Sequence, residues 1–182
     1  GWLRNPGMIA LGQAAGIGVF HSSYALDTYY DNAFYRHPLP RGMALAAGAT
    51  VMTSADVKGY DASGLPTGDI DNGNVSGIVG VGWAPIEGLG IGLNVKYFQE
   101  RIDEWTARGV GLDMGAVFQL PFPDIAVGAT VTDIGPAVTF IEREEELPTT
   151  ARIGASWRTP VFFRLATLRL AVEMVKPRRE DA

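Results

Sequence analysis

The chain has 182 residues, is 47% hydrophobic and carries 15 Lys plus Arg against 20 Asp plus Glu, a net charge of -5. That is enough apolar material for one domain with a large buried or lipid-facing surface, and the negative balance excludes a basic stripe tracking phosphates, so nucleic acid is not an expected partner. Cysteine is absent, which removes disulfides and thiolate metal sites, and no apolar run approaches the roughly 20 residues of a spanning helix. No basic start followed by an apolar stretch marks the N-terminus. With an opening at Gly1-Trp2-Leu3 and a close on Lys176-Pro-Arg-Arg-Glu-Asp-Ala182, the chain is expected to be a processed or truncated piece.

The 23 glycines are scattered through apolar segments and not confined to turns. Each would cost a helix about 1 kcal/mol against Ala, so strands are expected throughout. A turn is possible near Pro6 to Gln13, within a segment 1–15 that precedes the main strands. Less regular strands are expected over 16–24 and 25–34, then strands over 43–51 and 75–83. From Gly90 to Phe98, Ile91, Leu93, Val95 and Tyr97 alternate with Gly90, Gly92, Asn94, Lys96 and Phe98. From Val110 to Phe118, Val110, Leu112, Met114, Ala116 and Phe118 alternate with Gly111, Asp113, Gly115 and Val117. Strands follow over 125–132, 151–158 and 168–174. Arg152 and Arg158 share a face with Gly154 and Ser156, opposite Ile153, Ala155 and Trp157. About nine strands result, each with one apolar and one small or polar face.

The connections alternate in length. Long polar loops are expected over 55–73 and 133–148, a charged link over 101–105, and tight turns at Pro85–Leu89, Leu120–Asp124 and Thr159-Pro160. In an antiparallel meander every second connection lies at the same end. This places short turns at one end and long loops at the other, as in outer-membrane barrels. Aromatics near strand ends (Trp83, Tyr97, Phe98, Trp105, Phe118, Phe122, Trp157) suit an interfacial girdle. Alternation does not say which side is in, so a soluble β-barrel or sandwich that binds a ligand is the alternative. Glycine-rich polar faces make a poor soluble exterior, which favours the membrane.

Candidate chemistry is sparse. His21, Ser22, Ser23 and Asp27 have the residue types of a hydrolytic triad, but strand neighbours point to opposite faces and no nucleophile elbow is present. His37 sits beside prolines in an expected turn, and two distant histidines make a poor zinc site. Gly68-Asp-Ile-Asp-Asn-Gly-Asn74 spaces carboxylates two apart, but its glycine falls one position early for a calcium loop and no closing Glu follows. Glu142-Arg-Glu-Glu-Glu146 reads as a hydrated loop. No catalytic residue, metal or cofactor is expected. In a barrel the polar residues of the small face, Asn94, Lys96, Asp113, Arg152, Arg158 and Glu173, would line the lumen.

Several runs carry a family resemblance: Asn5-Pro6-Gly7-Met8, Gly92-Leu-Asn-Val-Lys-Tyr-Phe-Gln-Glu-Arg-Ile102, Gly111-Leu-Asp-Met-Gly-Ala-Val-Phe118, Val127-Gly-Ala-Thr-Val-Thr-Asp-Ile-Gly135 and Leu147-Pro-Thr-Thr-Ala-Arg-Ile-Gly-Ala155. In order and spacing they resemble the PorV/PorQ family, which is akin to FadL-type barrels, with Asn5 and Pro6 in the position of the family's Asn-Pro element. The resemblance implies an antiparallel up-and-down transmembrane β-barrel in a bacterial outer membrane, here an incomplete one. Its implied partners are outer-membrane lipids and lipopolysaccharide, with hydrophobic small molecules or secretion-system proteins. The implied role is transport of hydrophobic compounds or a shuttle and anchor task in type IX secretion.

Overall fold

The computed structural model describes residues 1–24, 27–54, 57–60, 63–70, 72–103, 105–120, 124–140, 143–161 and 166–178. After the single helical turn α1 (Met8–Leu11), nine long strands form one antiparallel sheet: β1 (Gly16–Tyr24), β2 (Thr28–Pro38), β3 (Met43–Thr53), β6 (Asn72–Trp83), β7 (Leu89–Ile102), β8 (Trp105–Leu120), β9 (Ile125–Ile134), β12 (Thr150–Val161) and β13 (Ala166–Pro177). Their spatial order follows the chain, β1-β2-β3-β6-β7-β8-β9-β12-β13, with β1 and β13 as free edges. The sheet is an open meander, not a closed barrel.

Two expected loops contain small hairpins of their own. Between β3 and β6 lie β4 (Val57–Tyr60) and β5 (Pro66–Ile70), and between β9 and β12 lie β10 (Val138–Phe140) and β11 (Arg143–Glu145). The charged link over 101–105 shrinks to residues 103–104, because β7 and β8 continue past the apolar alternation and stay paired to Ile102↔Trp105. The second strand is shifted to 28–38, so His37 lies on a strand and not in a turn, 2.8 Å from the Tyr35 hydroxyl. Residues 25, 71, 121–123, 142 and 179–182, which belong to the expected second strand, Asx-rich loop, tight turn, acidic run and C-terminal tail, lie outside the described residues.

All four connections at one end of the sheet are short, at 39–42, 84–88, 121–124 and 162–165, and this is the turn end. The other, the loop end, has both long connections, 54–71 and 135–149, interleaved with tight ones at 25–27 and 103–104. Positive φ at Gly42 (73°) and Gly88 (80°) lets the turn-end reversals form without a Cβ penalty.

The strands are staggered. Hydrogen-bonding partners followed from His37, one residue from the turn end of β2, run through Leu45, Val81, Leu93, Met114, Val131 and Ala151 to Lys176, one residue from the loop end of β13. The turn-end position on β13 is Thr167, nine residues from Lys176. A slip of that size over seven strand-to-strand steps, at about 3.3 Å per residue and about 4.8 Å per step, corresponds to a strand tilt of roughly 40°.

The two faces differ as the period-2 pattern requires. One carries Leu45, Val79, Ile91, Val95, Val110, Met114, Val127, Ile153 and Val172, all exposed, with Met114 at 44% and Val127 at 42%. Among the described residues, nothing else covers it. The other face is small and polar and is crossed by residues 1–14. Of the buried apolar side chains, Ile9, Ala44 and Ala46, with Trp2 against them, form a cluster between that segment and the sheet.

Candidate functional site

The N-terminal segment crosses the sheet from β13 to β2, as a strap. Arg4 reaches Glu173 on β13 at 3.3 Å. The Asn5 side-chain amide donates to the carbonyls of Ala116 on β8 (3.1 Å) and Ala129 on β9 (3.2 Å), while its Oδ1 accepts from Gly7 N at 3.0 Å. That inner hydrogen bond is the Asx turn expected of Asn two residues before a turning backbone. Beyond α1, Arg36 on β2 ties down the far end, its guanidinium donating to the carbonyls of Ile9 (2.5 Å), Gly12 and Ala14 (2.7 Å). A single planar donor fork therefore holds three carbonyls that follow or end the helical turn, groups left orphaned by so short a helix.

Glycines on the strands make this seating possible. A Cβ at Gly92 would overlap the Pro6 carbonyl, one at Gly90 the Gly7 carbonyl, and one at Gly115 the Asn5 side chain, while one at Gly82 would sit 2.6 Å from Ala10 N. Three adjacent strands, β6, β7 and β8, thus expose bare backbone where the strap passes. The Gly88-x-Gly90-x-Gly92 run serves close backbone approach and a turn.

Toward the loop end from the strap lies a polar cluster. Asn94 and Asp113 are cross-strand partners and both are 0% exposed. Lys96 donates to Asp113 Oδ1 at 2.8 Å and to Asp133 Oδ1 at 2.5 Å. Asp113 Oδ1 also accepts the Asp133 backbone N–H at 2.9 Å. This arrangement rests on a bulge: the β8–β9 register shifts between Leu112 and Met114, so Thr132 and Asp133 together face Asp113. Asp133 takes φ of 62°, and the extra residue brings its carboxylate to the small face, beside Lys96. Further along, Arg152 donates to the Thr132 hydroxyl at 3.0 Å, and Thr130 to the Met114 carbonyl at 2.9 Å.

All six sequence-derived candidates lie on the strap face, but they do not form one site. Asn94, Lys96 and Asp113 meet in the buried cluster, with Arg152 linked to it through Thr132. Glu173 instead anchors Arg4. Arg158 sits near the turn end, paired to Asp124 at 2.6 Å with both side chains about half exposed, and directly opposite Arg169. Asn5 and Pro6 are the centre of the strap. Sequence reasoning missed Asp133, which falls where alternation breaks, and Arg36, whose carbonyl partners carry no sequence signature. His21 binds Asp31 on β2 at 2.7 Å and not Asp27, and Ser22 faces the opposite side of the strand from His21.

No family model, curated protein or solved structure matches this chain.

Proposed function

We propose that this sheet is part of the wall of an outer-membrane β-barrel, with its apolar face against lipid and its strap face toward the lumen. The observation that carries this is the unpartnered apolar face. It runs across all nine strands, and among the described residues its charges (Asp31, Arg101, Arg108, Lys176) stay in the loop-end half of their strands. In water so continuous a patch is a liability, whereas in a bilayer it is the matching surface. The tilt of roughly 40° lies in the range that lets strands cross a hydrocarbon layer within a closed cylinder. The short-turn end and the long-loop end match the periplasmic and outer sides of such barrels.

Closure requires further strands, because β1 and β13 run parallel to each other and an antiparallel cylinder needs an even number. An odd complement of strands between them satisfies both edges. On this reading the protein is a passive conduit or a secretion-associated shuttle or anchor of the PorV/PorQ kind, handling hydrophobic compounds or secreted proteins, and it performs no catalysis. Fractionation of cells expressing the full-length gene tests the location. Recovery in the outer membrane, resistant to urea extraction, is expected. Recovery as a monodisperse soluble protein would overturn the proposal in favour of a soluble β-rich binding domain.

A further inference from the structure

The cluster beneath the strap contains polar atoms that no described residue satisfies. Both side-chain polar atoms of Asn94, Oδ2 of Asp113 and Nε of Arg152 are buried and have no hydrogen-bond partner among the described residues. Asn94 is fully buried, and a Cβ at the neighbouring Gly80 would meet both its Oδ1 and the Ile9 side chain, so its amide lies at the contact between sheet and strap. Asp113 uses Oδ1 for Lys96 and for Asp133 N, which leaves Oδ2 without a donor. Orphaned groups of this kind are destabilising, and proteins meet that need with internal water where two or more polar atoms converge.

We propose that Asn94 and Asp113 together form an internal water site under the strap. A water there donates to Asp113 Oδ2 and exchanges hydrogen bonds with the Asn94 amide, which offers both a donor and an acceptor. Lys96 already supplies the positive charge on Asp113, so the site takes a neutral hydrogen-bonding molecule of water's size and not a cation. The strap is then seated in two modes: dry backbone contact over Gly90, Gly92 and Gly115, and a hydrated contact beside Ile9. The inference does not depend on membrane location.

Crystal structures of the wild type and two variants, with thermal unfolding of each, test it. The wild type is expected to show a water peak within hydrogen-bond distance of Asp113 Oδ2 and the Asn94 amide. Asn94→Leu removes the water's second partner and leaves Asp113 Oδ2 bare, so its Tm falls by about 5 °C. Asn94→Ser keeps a hydroxyl for the water, and its Tm changes by less than about 2 °C with the peak retained. The proposal is overturned by direct Asn94 to Asp113 hydrogen bonding with no water between, or by a Tm for Asn94→Leu at or above the wild type, the behaviour of a dry orphan replaced by an apolar isostere. Should Asn94→Leu fail to fold, the wild-type peak and its survival in Asn94→Ser decide the matter.

Discussion

The two faces of the sheet are built from the same strands by the same alternation, yet they meet their surroundings in opposite ways. The strap face makes its main contacts within the chain: glycines admit the strap, Lys96 serves two carboxylates, and Arg36 caps a helical turn. The apolar face is covered by nothing among the described residues. Side chains such as Val79, Ile153 and Val172 are at least 60% exposed. A pattern of period 2 thus separates internal contacts from contacts with another phase, and substitutions on the two faces should fail for different reasons.

The largest effect is expected on the strap face. Lys96→Met leaves Asp113 as a buried carboxylate with no cation, at a cost of about 3–5 kcal/mol, read as a lowered denaturation midpoint. An effect no larger than that of an ordinary surface change would mean the cluster is open to solvent. On the other face, Met114→Arg distinguishes lipid from water. In a bilayer it costs about 2–4 kcal/mol and lowers the yield of folded protein in vesicles, but at an exposed position in water it shifts stability by no more than about 0.5 kcal/mol. An unchanged yield would argue against lipid contact.

Smaller effects sharpen the contrast among glycines. Gly92→Ala overpacks against Pro6 and should destabilise by about 1–3 kcal/mol while speeding proteolysis of residues 1–15. Gly77→Ala, whose new Cβ would meet nothing within 4 Å on the apolar face, should be neutral or slightly stabilising. Equal responses would refute the strap-seating role. Smallest of all, Arg158→Ala should leave the midpoint where it is, because both partners of the Arg158–Asp124 pair are about half exposed.

Much of the architecture was readable in the residues, for a definite reason. Where one face is apolar and the other is not, as from Ile91 to Tyr97 or from Val110 to Phe118, alternation fixes strand, face and register together. It fails where both faces turn polar, so the extensions of β7 through Gln99–Ile102 and of β8 from Trp105 to Gly109 fall outside the alternating segments, with 101–105 read as a charged link. It fails again at Asp133, where one inserted residue breaks the period and hands a carboxylate to Lys96. The small hairpins β4–β5 and β10–β11 are too short to show a pattern. Lys96 and Asp113 were legible as same-face charges on neighbouring strands. Their meeting with Asp133, and the docking of Asn5 onto Ala116 and Ala129, depend on contacts distant in sequence that spacing does not encode.

The strap begins at the first residues of the chain, yet its outermost anchor, Glu173, is 169 positions away from Arg4. Contacts of such separation form only after a long stretch of chain has surrendered its freedom, so they come late and slowly in folding. The strap, made before every strand it crosses, therefore completes its docking after them, and its full seating reports that the ninth long strand has joined the sheet.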